Sequence, residues 1–317
     1  MARSIELQTT QARRGGAALQ LLRAMRPKQW IKNTFVFAAL VFSEKRLWTN
    51  LGDILLVVGT FALFCMTASA IYLINDVADI EKDRAHPRKR NRPLASGKLS
   101  PGVAIAAAVG LLLIALPGAY VLDSMSGGDF GLLAVLASYL VIQGLLYTYL
   151  LKHIVILDIF TIAAGFVLRA VAGAVVLDIN ITPWLLVCMG LLALFLGLGK
   201  RRAELVLLEE GAGEHRRILE EYSVPMLDQM MAIVIAATII AYTLFTFSAT
   251  TVPHEPYPVM MITVPFVVYG IFRYVYLIYH HKGGGSPEEL VLKDLPLALD
   301  IVLYGLTVLV LLAVYRQ

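Results

Sequence analysis

The chain has 317 residues, of which 58% are hydrophobic and 16% are charged, and its formal net charge is +4. Because an average soluble domain carries about 25% charged residues, this composition excludes an ordinary water-soluble protein. The apolar residues fall in long runs with almost no charge, which is the pattern of membrane-spanning helices. The predicted fold class is therefore an all-α polytopic membrane protein.

A polar stretch precedes the first predicted span. Residues 1–20 predict a flexible cytoplasmic tail, and residues 21–317 predict a single transmembrane domain. Trp30 and Trp48 bracket the first span, about 27 Å apart at 1.5 Å per helical residue. That distance matches a hydrocarbon core of about 30 Å with a tryptophan at each interface.

Two cations and two amides occupy the start of this first span. Lys28 and Lys32 are four residues apart, as are Gln29 and Asn33, so an α-helix presents each pair on one face. These four side chains are candidates for binding a phosphorylated substrate. The alternative for the two lysines is anchoring at the membrane interface.

Eight further spans follow, so the sequence predicts nine transmembrane helices. Their approximate limits are 54–74, 102–122, 130–150, 155–177, 182–198, 226–248, 258–280 and 295–315. With the N-terminus inside, the inside segments hold 22 of the 27 Lys and Arg residues, and the outside segments hold three. Since positive charge marks the cytoplasmic side, this bias predicts a multi-pass protein of the plasma (inner) membrane with its N-terminus and large polar loops in the cytoplasm.

The second span ends in a group of oxygen ligands. Asn75, Asp76, Asp79 and Asp83 are spaced so that a helix places them on one face. Carboxylate and amide oxygens grouped in this way suit Mg²⁺ shared with the phosphates of a ligand, so these four residues are the predicted metal ligands. Asp76 and Asp79 are also candidate catalytic residues. The alternative is a solvated charged loop between two membrane helices.

A basic stretch follows the acids and completes a candidate diphosphate site. Residues 82–98 hold seven Lys and Arg, among which Lys89 and Arg92 are candidates for binding phosphate oxygens. The alternative is a role in membrane topology and in contact with anionic lipid head groups. That alternative leaves the neighbouring oxygen ligands unexplained.

A second polar loop follows the sixth span. Lys200 and Arg201 lie where this span meets the cytoplasm, and they are candidates for binding a phosphate. Glu204 and Tyr222 are further substrate-binding candidates in the same loop. The alternative for the two cations is topological anchoring.

The fifth span contains two ionisable residues, which are costly in a membrane and usually face a polar cavity. Asp158 lies about one turn from the cytoplasmic end, level with the acidic group, and is a candidate catalytic residue. Arg169 lies three helical turns further on, nearer the middle of the membrane. It is a substrate-binding candidate that could hold a lipid phosphate; its alternatives are to neutralise a buried acid or to support the structure alone.

Other chemistries are not indicated. The sequence contains no nucleophile motif, no metal-binding His or Cys pattern, no phosphate-cradling glycine loop and no nucleic-acid module. No nucleic-acid partner is therefore expected.

The motif Asn75-Asp76-x-x-Asp79-x-x-x-Asp83 after an apolar span resembles the first aspartate-rich motif of the UbiA superfamily of intramembrane prenyltransferases. The resemblance covers nearly the whole chain after residue 20. It implies a UbiA-like fold of nine helices around a central cavity, with the polar site under cytoplasmic loops and with Mg²⁺ as the cofactor.

The loop after the sixth span indicates a branch of this superfamily. Members that act on aromatic or haem acceptors carry a second DxxxD-like motif there, whereas this chain has Lys200-Arg201-Arg202-x-Glu204. Together with residues 26–33, 86–93 and 165–169, this pattern is similar to that of decaprenyl-phosphate phosphoribosyltransferases. The similarity implies phosphoribosyl diphosphate as the donor and a polyprenyl phosphate as the acceptor.

The similarity also implies roles for the candidate residues. The four predicted metal ligands would hold Mg²⁺ on the donor diphosphate, and the cations of the first span and of the basic loop would hold donor phosphates. Lys200 and Arg201, with Tyr222, would hold the ribose 5-phosphate or the acceptor phosphate. Asp158 would bind ribose hydroxyls or complete the metal shell.

Two alternative functions stay open at this point. One is prenyl transfer from a prenyl diphosphate to a small aromatic acceptor. The other is a transporter or lipid-phosphate carrier, for which turnover would not depend on Asp76 or Asp79 beyond binding. In each case membrane lipid is an expected partner, and a homo-oligomer is possible.

Overall fold

The computed structural model describes residues 16–85, 89–128, 130–180, 182–209, 217–281, 290–291 and 293–316. Residues 1–15 of the predicted tail and residues 86–88 of the basic loop lie outside these ranges. Within them, all regular structure is helical, which confirms the predicted all-α class. Residues 16–24 form a helix that overlaps the end of the predicted tail.

Eight helices in the described part of the chain are long and apolar enough to cross a membrane. They are α1 (Leu51–Ala78), α2 (Pro101–Ser126), α3 (Gly131–Tyr149), α4 (Leu157–Val175), α5 (Pro183–Glu209), α6 (Val224–Ser248), α7 (Val264–His281, after a 3₁₀ turn at Val259–Thr263) and α8 (Leu295–Tyr315). These helices match the last eight predicted spans closely. The chain is an integral membrane protein.

The prediction of nine spans is close but not exact, because the first predicted span is not a long α-helix. Its place is taken by a 3₁₀ helix, Pro27–Phe37, and a short α-helix, Ala38–Phe42, which together we call the leading segment. A 3₁₀ helix rises about 2.0 Å per residue, so the leading segment extends roughly 30 Å and reaches about as far as a span.

The 3₁₀ geometry changes which side chains of the leading segment share a face. A 3₁₀ helix has three residues per turn, so Trp30, Asn33 and Val36 align and turn toward the bundle. Asn33 and Val36 are buried. Lys28 and Lys32 therefore do not share a face as an α-helix would require: Lys28 is exposed, and Lys32 is half-buried.

The leading segment packs closely on α4 at Gly173. A Cβ atom at this position would stand 1.9 Å from the carbonyl oxygen of Val36. Because that oxygen belongs to the backbone, only a glycine allows the two elements to approach this far.

We expect Gly173→Ala to lower stability by about 1–3 kcal/mol, the usual cost of overpacking a filled interior. The measurement is the midpoint of thermal unfolding of the purified protein in one detergent. Gly110→Ala in α2 is the matched control, since a Cβ there would meet nothing within 4 Å. An unchanged midpoint for Gly173→Ala would mean that the leading segment can move away from α4 without cost.

Two large apolar clusters build the bundle, and α4 takes part in both. The first joins the leading segment with α1, α2, α3 and α4. The second joins α4 with α5, α6, α7, α8 and the 3₁₀ turn Arg217–Glu221. A largely apolar cavity of about 270 Å³ lies among the leading segment, α5, α6, α7 and α8.

Polar residues start several helices at one end of the bundle, where α1, α3 and α5 end and α2, α4 and α6 begin; we call it the polar end. Ser100 caps α2 and Ser223 caps α6, each by accepting a hydrogen bond from a backbone N–H. Asp294 caps α8 in the same way. These caps are encoded locally, and each is followed within two residues by a proline, which suits the first turn of a helix.

Candidate active site

The end of α1 delivers the predicted oxygen ligands to the polar end. Helix α1 stops at Ala78, and after Asp79 a short helix, Ile80–Ala85, continues the chain. Backbone N–H groups of Asp79 and Asp83 donate to carbonyls four residues earlier, so the helical repeat is nearly unbroken. Asp76 and Asp83 are buried, whereas Asp79 is the accessible acid of the three.

Two arginines engage the buried acids. Arg92 Nη1 donates to Asp83 Oδ2 at 2.7 Å and to Asp76 Oδ1 at 3.2 Å. Arg26 donates to the same oxygen of Asp76 and lies over the ring of Tyr72, with 4.8 Å from its guanidinium carbon to the ring centroid. Two carboxylates and two guanidiniums therefore form one ion-paired cluster with no net charge.

The donor set of this cluster fits a divalent cation. Among the described residues, no three acidic, His or Cys side chains are arranged to hold a metal ion. However, Asp76 and Asp83 already point at one positive atom, Nη1 of Arg92, as two ligands would point at a metal. Carboxylate oxygens are what Mg²⁺ prefers, so the residues suit Mg²⁺ once Arg92 withdraws from them.

The last predicted metal ligand, Asn75, is oriented by α3. Thr148 Oγ1 donates to Asn75 Oδ1 at 2.9 Å. Residues Leu140–Leu146, just before Thr148, form a π-helix, a wide turn that is often found at functional sites. Within it, Gln143 Nε2 donates to the carbonyl oxygen of Thr161 in α4 at 2.5 Å, which ties the π-helix to the neighbouring span.

The buried guanidinium of Arg169 is fully engaged inside the bundle. Its Nε donates to Asn33 Oδ1 at 2.7 Å, its Nη1 to the Gly165 carbonyl oxygen at 2.6 Å and its Nη2 to the Tyr139 hydroxyl at 2.8 Å. Asn33 in turn donates to Cys65 Sγ at 3.2 Å. None of these partners is an acid, and the contacts join the leading segment, α3 and α4. Of the alternatives for Arg169, they favour the structural one.

A second buried cluster lies where α4 begins and α5 ends. Arg201 Nε donates to Asp158 Oδ2 at 2.6 Å, and its Nη1 is ion-paired with Glu204. Tyr222 donates through its hydroxyl to Asp158 Oδ1 at 2.8 Å and accepts from the Ile156 N–H at 2.6 Å. Asp158 and Arg201 are 0% and 2% exposed, so these groups face one another rather than solvent.

Tyr222 ties a strained connection to this cluster. Ile156, the residue before α4, has φ of 71°, a conformation that non-glycine residues rarely adopt. The bond from its N–H to Tyr222 holds it there. Burial raises the pKa of the Tyr222 phenol above its ordinary value, and Asp158 raises that pKa further, so the phenol stays protonated and can donate.

The remaining cationic candidates lie nearer the surface of the polar end. Lys28 is exposed, whereas Lys32 and Lys89 are half-buried. Gln29, Lys32, Lys89 and Lys200 each make interactions with other groups of the protein.

The sequence profile of the UbiA prenyltransferase family matches residues 34–288. The chain belongs to this family. The resemblance inferred from the aspartate-rich motif is thereby confirmed.

Two relatives that carry the same name agree on the branch. The decaprenyl-phosphate phosphoribosyltransferase of Mycolicibacterium smegmatis is 38% identical over 287 residues, covering 86% of this chain and 86% of its own length. The enzyme of the same name from Corynebacterium glutamicum is 35% identical over 275 residues, covering 86% and 81%. A solved UbiA homolog from Archaeoglobus fulgidus, bound to DMAPP and Mg²⁺, shares the fold with a TM-score of 0.66 and 15% identity, covering 93% of this chain and 99% of its own.

In this UbiA-family protein ten of the sixteen predicted site residues fall into three groups. The first joins Asn75, Asp76, Asp83 and Arg92 at the end of α1. The second joins Asp158, Arg201, Glu204 and Tyr222. The third joins Asn33 and Arg169.

The end of α3 lies between the first two groups of the UbiA-family site. Thr148 contacts Asn75 of the first group, and residues Leu151–His153, just beyond the end of α3, pack beside the 3₁₀ turn Arg217–Glu221 that precedes Tyr222. Sequence reasoning did not select Thr148, because a threonine in an apolar span carries no signal of its own. It also left out Arg26, although that residue stands in the basic run before the leading segment and next to Pro27.

Proposed function

We propose that this UbiA-family protein transfers 5-phosphoribose from phosphoribosyl diphosphate to a polyprenyl phosphate and releases diphosphate. The observation that carries the proposal is the contrast between the two polar clusters. The acids at the end of α1 are bound to partly exposed arginines that could move to a diphosphate, whereas Asp158 in the second cluster is buried against Arg201. One diphosphate site suits a pair of substrates of which only the donor carries a diphosphate. The names of the relatives support the same reaction.

The donor would bind at the end of α1. Asn75, Asp76, Asp79 and Asp83 would hold Mg²⁺, which when bound neutralises charge on the departing diphosphate. Arg92 and Arg26, freed from the acids, would bind phosphate oxygens through their planar guanidiniums. Further cations at the same end would add to the phosphate site: Lys28, Lys32 and Lys89.

The second cluster would position the acceptor side of the site. Arg201 and Asp158 hold the end of α5 against the start of α4, and Tyr222 fixes the connection that precedes α4. Lys200, next to Arg201, would face the acceptor phosphate or the ribose 5-phosphate. In this assignment Asp158 acts by positioning α4 and α5.

The lipid tail of the acceptor would enter the apolar cavity of about 270 Å³. Its walls include aromatic side chains of three elements, Phe35, Phe42, Tyr242 and Tyr304. Apolar surface of this kind favours an isoprenoid chain over water.

The proposed reaction does not require a strong general base. An oxygen of the acceptor phosphate, already ionised at neutral pH, attacks C1 of the ribose, and the bond between C1 and the diphosphate oxygen breaks. Diphosphate leaves with the electron pair. The residues of this chain contribute by aligning the two phosphates, which lowers the barrier through proximity.

The reaction would take place at the cytoplasmic face of the plasma membrane. The bias of Lys and Arg toward the predicted inside segments supports this orientation, since those segments include the residues of the polar end. A soluble phosphorylated sugar would reach the site from the cytosol.

The test is an assay of purified protein in lipid nanodiscs with phosphoribosyl diphosphate, a polyprenyl phosphate and Mg²⁺. We expect lipid-linked phosphoribose and diphosphate in equal amounts, both abolished by a chelator. Absence of the lipid product, together with prenyl transfer from a prenyl diphosphate to a small acceptor, would replace the proposal by its alternative. Binding of the polyprenyl phosphate and of a prenyl diphosphate, without turnover of either, would indicate a carrier.

A further inference from the structure

We propose that Arg92 and Arg26 occupy the place of the metal in the free protein, so that a divalent cation binds only together with a diphosphate. The inference rests on the proposed function for the location of the donor site. It adds an order to binding: the metal and the diphosphate enter as one complex, and the two arginines move from carboxylates to phosphates.

The guanidinium of Arg92 fills the space between the two buried acids. Nη1 of Arg92 stands 2.7 Å from Asp83 Oδ2 and 3.2 Å from Asp76 Oδ1. Asp76 and Asp83 would hold a metal ion only if that nitrogen moved away from them. Arg26 contacts Asp76 as well, so the carboxylate oxygen facing the site already has two cationic partners.

The charges of this cluster are already balanced without a metal ion. Two acids and two arginines balance, so a divalent cation added alone would leave an uncompensated double positive charge among buried groups. Such a charge is unfavourable where water is scarce. A diphosphate brings negative charge of its own, so the complex of metal and diphosphate leaves the cluster close to neutral.

The arginines of this cluster are more accessible than its carboxylates. The Asp76 and Asp83 side chains are 3% and 5% exposed; Asp76 lies in the last turn of α1, and Asp83 lies on the short helix Ile80–Ala85. The Arg26 and Arg92 side chains are 30% and 29% exposed, and each has a long flexible stem. The arginines can therefore swing toward a diphosphate while the carboxylates stay in place to receive the metal.

The backbone at Arg26 supports this mobile role. Arg26 adopts φ of 56°, in the left-handed region, between the helix of residues 16–24 and Pro27. A non-glycine residue in this region is held there by its contacts. Loss of the contact with Asp76 when the diphosphate arrives would release that constraint.

The experiment measures Mn²⁺ binding by electron paramagnetic resonance, with inorganic diphosphate as the second ligand. For the wild-type protein we expect weak binding of Mn²⁺ alone and affinity at least about tenfold higher when diphosphate is present. For Arg92→Gln we expect Mn²⁺ alone to bind about tenfold more tightly than to wild type, with most of the gain from diphosphate lost. Arg26→Gln should change both quantities in the same direction by less.

Arg84→Gln is the matched control. Arg84 lies in the same region and loses the same charge, but its carboxylate partner is the exposed Glu81. Its Mn²⁺ affinity should equal that of wild type. If Arg92→Gln lowers stability, added Mn²⁺ should raise its unfolding midpoint more than that of wild type, because a ligand that binds the folded state more tightly stabilises it more at the same concentration.

Equal Mn²⁺ affinity with and without diphosphate in the wild type would overturn the proposal. So would Mn²⁺ affinity in Arg92→Gln and Arg26→Gln that matches wild type. These outcomes are independent of the assigned reaction, because inorganic diphosphate is shared by phosphoribosyl and prenyl donors. A protein that shows the linkage but transfers prenyl groups would refute the proposed function and leave this inference standing.

Discussion

Asp79→Ala is expected to lower the rate of lipid-linked phosphoribose formation by about 100-fold or more, with almost no change in stability. A metal held against a leaving diphosphate contributes several kcal/mol to transition-state stabilisation, and each 1.4 kcal/mol is about tenfold in rate. Among the acids of the predicted metal site, Asp79 is the one whose removal should lower the rate without lowering stability. Its side chain is 33% exposed, and its ion pair with Lys82 is long, at 3.9 Å.

The measurement is the initial rate at saturating substrates as a function of Mg²⁺ concentration, together with the unfolding midpoint. Glu81→Ala is the matched control, because Glu81 lies two residues away, loses the same charge and contacts Arg84 at the surface. Its rate should stay within about twofold of wild type, since surface ion pairs contribute little. Wild-type activity in Asp79→Ala would remove this acid from the metal site.

Asp158→Ala is expected to destabilise the protein by about 3–5 kcal/mol, the usual effect of removing one partner from a buried ion pair. The substitution leaves the Arg201 guanidinium buried with Glu204 as its remaining acid, and it takes away the acceptor for the Tyr222 hydroxyl. The midpoint of thermal unfolding in a fixed detergent is the measurement.

A double substitution separates the buried charge from the packing. In Asp158→Leu/Arg201→Met both charges are gone and the volume is largely kept, so most of the lost stability should return. Failure of the double variant to recover would mean that the hydrogen bonds of Tyr222 and Glu204 dominate. An unchanged midpoint in Asp158→Ala, accompanied by lost activity, would instead place Asp158 at the substrate.

Much of the fold could be predicted because it depends on local composition. Hydropathy located seven of the eight long spans within a few residues at each end, since each must be apolar along its length to lie in lipid. The exception is α5, which continues to Glu209, beyond the predicted end of its span at residue 198. The acidic motif could be recognised because helical spacing places its residues on one face whatever surrounds them. The basic residues of the stretch 82–98 could be assigned to the same site because they directly follow the acids in the sequence.

The first span could not be described correctly from the sequence. Its apolar length and its two tryptophans predict an α-helix, and its 3₁₀ geometry accompanies a close approach to α4 at Gly173, 137 positions beyond Val36. The π-helix of α3 at Leu140–Leu146 could not be predicted from the sequence either, since an apolar run carries no periodic pattern that distinguishes a π-helix from an α-helix.

The sequence by itself determined the class of the protein, its family and most of the ionisable residues at the polar end, although not Arg26. Only the tertiary structure decided how those residues are paired. Arg26 contacts Asp76 across 50 positions, and Arg201 contacts Asp158 across 43. In both cases a buried charge takes the opposite charge that packing brings nearest, because leaving it unpaired in a low-dielectric interior is costly. The packing of distant helices therefore decides that Asp76 pairs with partly exposed arginines, whereas Asp158 pairs with a buried one.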